Sequence, residues 1–180
     1  MSARDLVFIA LMAAVTAALG FFPAIQVPVI NVPIVGQNMG AMIAGGLLGA
    51  KRGALSQALF VLLVAVGLPL LTGGRGGLGE LMGNTGGYIF GWIVAAWAVG
   101  WIVERFWTQL NTLHVIIALI LGSVVVDYAL GIAWLVIGYD APLLATIGAH
   151  AAFLPGAAVK IALTTAIILA MKRYYPLIRT

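Results

Sequence analysis

Residues 113–137 read LHVIIALILGSVVVDYALGIAWLVI, twenty-five positions that carry one carboxylate, Asp127, and no lysine or arginine. A helix rising 1.5 Å per residue needs about 20 residues to cross a hydrocarbon layer roughly 30 Å thick, so this run is long enough to span a bilayer. It is also too apolar to show water a polar face. The remainder of the chain agrees with it: of 180 residues 63% are apolar and 8% charged, with a mean hydropathy of +1.16. A soluble domain carries about a quarter charged residues, so soluble globular and disordered classes are excluded. The absence of cysteine removes disulfide scaffolds, thiolate metal sites and cysteine nucleophiles together. Nine Lys and Arg against five Asp and Glu make the chain basic. These cations stand singly or in pairs between apolar runs, a distribution that suits a bilayer and not nucleic acid.

The same length criterion gives six spans, 6–22, 34–50, 54–70, 86–103, 113–137 and 155–171. The fold class is therefore an all-α integral membrane protein, one membrane domain over residues 1–180 built as a bundle of six transmembrane helices. An even count puts both termini on one side. Arg4, Lys51, Arg52, Arg105, Lys172, Arg173 and Arg179 fall on that side, and Arg75 alone of the cations falls opposite, with Glu80 and Asp140. The positive-inside bias then places both termini in the cytoplasm. Residues 6–22 read as an uncleaved first span, since the run exceeds a signal-peptide core and everything after it is already membrane-bound. Residues 141–153 are too short to cross and are bounded by prolines, which predicts a short extra helix on the outer face between the fifth and sixth spans, with Pro155 opening the last one. The polar connections 26–33, 72–85 and 138–142 leave no soluble domain, and no GxxxxGK[ST] loop is present.

Ala10, Ala14 and Ala18 recur at every fourth residue of the first span. Such a stripe lets helices approach closely, either inside the bundle or against a partner subunit, and the pattern alone leaves both open. The ladders Gly45/Gly49/Gly53 and Gly83/Gly87/Gly91 read as internal. Asp127 and Lys160 sit at hydrocarbon depth, where an ionisable group is costly unless paired or hydrated. They form either an ion pair between helices or a ligand-binding pair. Asp127, Gly131 and Trp134 share a helical face, although Trp134 also reads as an interfacial belt residue. The segment Gly83-Asn84-Thr85-Gly86-Gly87-Tyr88 is either a recognition turn with open backbone N–H groups or a helix start capped by Asn84 or Thr85. Gln37 and Asn38 open the second span on the same side. The outer half thus gathers Gln37, Asn38, Asn84, Thr85, Tyr88, Asp127, Trp134 and Lys160, and the inner half has little beyond His114. His114 and His150 fall on opposite sides, so no metal site is expected and each reads as a packing residue. Ser56 and Ser123 lack a placed histidine, so no catalytic dyad is expected and the chain is not read as an enzyme.

In order, Val32-Pro33-Ile34 with Gln37, Gly46-Leu47-Leu48-Gly49, Arg52-Gly53-Ala54-Leu55-Ser56, Val66-Gly67-Leu68-Pro69, Gly73-Gly74, Thr85-Gly86-Gly87-Tyr88-Ile89-Phe90-Gly91 and Phe153-Leu154-Pro155-Gly156 with Lys160 resemble the BioY family, the substrate-binding S components of energy-coupling factor biotin transporters. The resemblance covers nearly the whole chain. It implies a six-helix S component of a prokaryotic cell membrane that binds biotin from the outside, under loops joining the first to the second and the third to the fourth helix. It further implies a transmembrane T component and two ABC-type ATPase subunits as partners, with the Ala10/Ala14/Ala18 stripe as docking surface. No cofactor would be bound by this chain, ATP and magnesium belonging to the partner ATPases. Lys160, aided by the N-terminal end of the last helix, would hold the biotin carboxylate. Asn84, Tyr88 and Asp127 would satisfy the ureido group, Trp134 would cover the ring, and Thr85 and Gln37 would complete the substrate-binding set. Two positions depart from the family pattern, Asn84 where proline is usual and Ala157 where aspartate is usual. Because Ala157 cannot partner Lys160, Asp127 is expected to supply the missing charge. An S component for another small vitamin, or a structural subunit without ligand, is the alternative.

Overall fold

Ser2 starts the first helix with a reciprocal cap: its hydroxyl accepts from the Asp5 N–H, and the Asp5 carboxylate accepts from the Ser2 backbone N–H at 2.8 Å. The computed structural model describes residues 1–25 and 32–178; residues 26–31 of the 26–33 connection, and Arg179 of the predicted basic set, lie outside the described residues. Within them six longer helices follow one another: α1 Ala3–Ala18, α2 Asn38–Leu48, α3 Ala50–Ala65, α4 Gly86–Arg105, α5 Thr112–Tyr139 and α6 Leu154–Tyr174. Short helices at Leu78–Leu81 and Leu143–Ala149 lie between them, the second running on through a tight turn at His150–Phe153. Among the described residues extended pairing is limited to the bridges Ile25 to Ile34 and Leu71 to Arg75. Four helical stretches, Ala3–Phe21, Gly86–Arg105, Thr112–Tyr139 and Leu143–Tyr174, are long and apolar enough to cross a membrane.

The second and third helices depart from the hydropathy reading. Charge drew the break to Lys51 and Arg52, yet the chain breaks at Gly49, and both cations sit in the first turn of α3. Gly49 is at once the last cap of α2 and the first of α3, with φ +84°, a conformation that L side chains rarely adopt. Gly100 of α4 packs directly on this joint, where a Cβ on Gly100 would meet the Gly49 and Ala50 backbone, and the Glu104 side chain occupies the space a Cβ on Gly49 would take. At the other ends, α2 begins four residues later than the run 34–50 suggests, because Ile34 is hydrogen-bonded to Ile25 instead. The third helix stops at Ala65, short of 70, where Gly67 with φ +100° and then Pro69 turn the chain. Eleven residues make α2 only about 16 Å long, and from Gly40 to Leu48 every residue of it is buried. It is the centre of the bundle, with α3 and α4 against it.

Contacts at one end of the bundle bring the chain termini together. Arg52 donates to the Leu48 carbonyl, to Asp5 at 3.1 Å and to the Leu177 carbonyl at 3.0 Å. Lys172 donates to the Leu110 carbonyl and lies over the Trp107 ring. The start of α1, the α2–α3 joint, the start of α5 and the end of α6 therefore share one end. Midway along α5, Ile120–Val126 winds as a π-helix, with hydrogen bonds to i+5. Its Gly122 rests on the Ala95 backbone, and the first residue to return to α-helical geometry is Asp127.

Candidate functional site

At the end opposite the termini the helices part around a cavity with about 570 Å³ of atom-free space, its open mouth included. Val32, Pro33 and Val35 cover one side from the stretch before α2, and Leu71, Thr72 and Arg75 cover another from the loop after α3. Thr85, Tyr88, Ile89 and Trp92 descend along α4; Asp127 and Tyr128 face in from α5, and Phe153 and Lys160 close the wall. Most of the lining is apolar or aromatic, with a few polar groups converging on it.

Those polar groups are held in different ways. Gln37, 1% exposed, spends everything it has on the protein. Its amide N–H groups donate to the Thr16 and Leu70 carbonyls at 3.2 and 2.9 Å, and its oxygen accepts from the Thr72 N–H and hydroxyl, both at 2.9 Å. A side-chain amide offers two donors and one acceptor oxygen, so Gln37 braces the wall by tying α1 and the loop after α3 to the start of α2. The Lys160 ammonium donates to the Val35 carbonyl at 3.1 Å and to Asn38 Oδ1 at 2.8 Å. An ammonium has three N–H groups, which leaves one for a ligand. Asp127 is 2% exposed, and its Oδ1 has no hydrogen-bond partner among the described residues. Tyr88 is bonded through its hydroxyl to His150 Nε2 at 2.6 Å, and its ring fills the space that Gly131 leaves open on α5.

Of the residues proposed from sequence, Lys160, Asp127, Tyr88, Thr85 and Gln37 line this one cavity, and Asn38 joins them. Three expectations are corrected. Asp127 and Lys160 face the same cavity but form no ion pair: the two bonds Lys160 makes go to Val35 and Asn38 on the α2 side, so the carboxylate does not replace the partner missing at Ala157. Trp134 lies behind the wall, where its indole N–H donates to the Gly83 carbonyl at 3.0 Å and its side chain packs against Gly87. Asn84 is half-buried in the turn before α4 and is absent from the lining. The aromatic wall is supplied instead by Trp92, one turn after Tyr88, a spacing that was legible in the sequence. Arg75 was also missed; it bonds the Thr72 carbonyl and Glu80 at the mouth. Its signal was its isolation as the only cation on its side. His150, read as a packing residue, is buried among Tyr88, Tyr128 and Phe153. Among the described residues no three His, Asp or Glu side chains come together as a metal site.

The stripe on α1 is placed differently from the glycine ladders. Ile9, Met12, Ala13 and Thr16 are the buried face of α1, whereas Ala10, Ala14 and Ala18 are exposed along a groove between α1 and α3.

Comparison with known proteins bears on both features. A model of the BioY family matches residues 1–177. A protein from Rhizobium etli named biotin transporter BioY is 39% identical over 183 residues, covering 99% of this chain and 98% of that one. One of the same name from Rhodobacter capsulatus is 43% identical over 182 residues, with 96% and 95% covered. The crystal structure of the S-component for biotin from an ECF-type ABC transporter superposes with a TM-score of 0.92 at 34% identity, covering 98% of this chain and 97% of that one.

Proposed function

The chain belongs to the BioY family, and from that premise we propose that it is the biotin-binding S component of an ATP-driven vitamin uptake transporter in a prokaryotic membrane. It captures biotin from the outer side and carries it across together with a T component and two ATPase subunits. It is a substrate-binding membrane subunit and makes or breaks no bond itself.

The observation that carries this reading is the incomplete bonding of Lys160 and Asp127 in a largely apolar cavity. A partly buried ammonium with an unspent donor and a buried carboxyl oxygen without a partner are costly in a dry protein. A ligand that brings one carboxylate and N–H donors removes that cost. Biotin brings both, on either side of an apolar thioether ring. In this reading the spare Lys160 N–H takes the valerate carboxylate, helped by the positive N-terminal end of α6 about one and a half turns away. Asp127 and Tyr88 accept the two ureido N–H groups, and the Thr85 hydroxyl donates to the ureido oxygen. Trp92 and Ile89 flank the ring, taking the part first given to Trp134. Gln37 holds the wall and does not touch the ligand, and Asn84 stands in the turn before α4, outside the binding set.

Six passes of the membrane, with both termini cytoplasmic, are the threading that fits this function. The short α2 is completed by the extended stretch before it, and α3 by the Gly67–Pro69 turn. The helix at Leu143–Ala149 then rests on the outer face beside the cavity. The exposed Ala10, Ala14 and Ala18 are the docking strip for the T component, supported by their position on the outward flank of α1. Equilibrium binding of biotin to the purified chain in detergent, by calorimetry, tests the reading, with Lys160→Ala beside it. Binding that weakens in the variant is expected; a folded preparation that binds no biotin overturns it.

A further inference from the structure

Tyr88 and His150 are 62 positions apart and nothing in the sequence joins them, yet Tyr88 Oη and His150 Nε2 meet at 2.6 Å in a buried contact. The other ring nitrogen, Nδ1, lies 2.6 Å from the Thr146 carbonyl oxygen. A carbonyl oxygen can only accept, so Nδ1 carries the proton. A neutral imidazole has one N–H, which leaves Nε2 as a lone pair and makes the tyrosine the donor in its bond. Turning the ring over would set carbon atoms against both oxygens and lose both bonds. The Tyr88 hydrogen is thus committed to His150, and the hydroxyl offers the cavity only lone pairs.

We propose that His150 is a specificity-determining positioning residue: by bonding Thr146 with one nitrogen and Tyr88 with the other, it fixes Tyr88 as a hydrogen-bond acceptor and selects a ligand that presents an N–H there. This rests on the biotin reading, in which that group is a ureido N–H. The selection reverses when the ring takes a second proton. Nε2–H then claims a Tyr88 lone pair, and the phenolic hydrogen swings toward the ligand N–H, donor against donor. Tyr88 from α4 and Tyr128 from α5 are the titratable groups against the ring, Phe153 stacks on it at 5.3 Å, and Asp127 and Lys160 are the ionisable groups of the adjoining cavity. Replacing His150 by glutamine removes one titration and leaves all of these in place. The glutamine oxygen accepts from Tyr88 and its amide N–H donates to Thr146, the same bonding sense without the switch.

The test is biotin calorimetry on the full chain in detergent at about pH 7.5 and about pH 5.5, on either side of the ordinary imidazole range near 6.5. The same samples without biotin are followed by ¹⁵N NMR of labelled histidine, which reports the tautomer directly. Burial holds the His150 imidazole below its ordinary range, so wild-type affinity is expected to fall at the lower pH with the doubly protonated fraction that the NMR reads, reaching about tenfold where that form is complete, the size of a lost hydrogen bond with a donor left unpaired. His150→Phe is expected to be weakened about tenfold at both pH values, and His150→Gln to recover most of that loss with no pH step. The NMR is expected to show the Nδ1–H tautomer near pH 7.5. An Nε2–H tautomer overturns the proposal, as does a pH step that persists in His150→Gln. Should the Nδ1–H form appear in a folded chain that binds no biotin at either pH, the biotin reading fails while Tyr88 stands as an acceptor for another N–H ligand.

Discussion

Arg52 at the terminal end of the bundle and Lys160 at the cavity end are both partly buried cations, and they are bonded to different degrees. Arg52 makes three bonds, to the end of α2, to Asp5 beside the N-terminus and to Leu177 near the C-terminus. Lys160 makes two, and a carboxylate in the same cavity, Asp127, keeps an oxygen without a partner among the described residues. The Arg52 bonds lock distant segments together, and its remaining N–H groups lie at a partly solvated end, whereas bonding capacity left unspent inside a cavity stores a preference for a molecule that is not part of the chain. A bundle that must hold its shape and also receive a ligand can divide the two tasks between its ends.

The contrast breaks most visibly at Lys160. Lys160→Ala is predicted to lower biotin affinity about 100-fold, since bonds to a buried charge are the strong ones, with little change in thermal unfolding. A variant that binds normally would remove the distinction between the ends. The exchange Asp127→Lys with Lys160→Asp is predicted not to restore binding, because the two groups form no pair to be inverted; calorimetry on the double variant reads this. Arg52→Ala should do the reverse of Lys160→Ala. Loss of about 2 kcal/mol of stability is expected, from two or three charge-assisted bonds at a partly solvated site, seen as a lower unfolding midpoint in detergent, while the folded fraction binds biotin as before. Trp134→Phe should be smaller, costing about 1 kcal/mol of stability through the lost bond to Gly83 and at most about threefold in affinity. Smallest for the isolated chain is Ala14→Leu, which should change neither stability nor biotin binding. Its effect should appear only in co-purification with the T component; retention of the complex would return the stripe to lipid.

Much of this was legible in the sequence, and the limits have physical causes. Composition and run length announced an all-helical membrane protein because hydrocarbon imposes one length scale on every span. Helix ends were less legible. Lys51 and Arg52 marked a break by their charge, but the joint is set at Gly49, on which Gly100 packs from 51 positions further along the chain. Lys160, Asp127, Tyr88, Thr85 and Gln37 could be seen to belong around one cavity because ionisable and hydrogen-bonding residues are conspicuous in apolar surroundings. Trp134 shares a face with Asp127, as the spacing said; what spacing could not say is that Tyr88 and the start of α4 stand between Trp134 and the cavity. His150 was invisible as a functional residue for the same reason, since its meaning lies in two atoms on other segments. Arg75 and Trp92 had signals, isolation for one and a one-turn offset from Tyr88 for the other.

The π-helix at Ile120–Val126 bears on how this chain can change length. A stretch bonded to i+5 accommodates residues that an α-helix over the same path would not, so it marks where α5 carries an insertion. Deleting one residue there would let the helix relax to the common form over the same path and leave Asp127 and Gly131 where they now stand. A deletion just beyond Asp127, where the turns are α-helical, has no such slack and turns every later side chain of α5 by about 100°, so that Gly131 no longer makes room for Tyr88. Two deletions a few residues apart, alike in charge and hydropathy, would thus differ in whether recognition survives, and an inventory of side chains alone would give no warning of it.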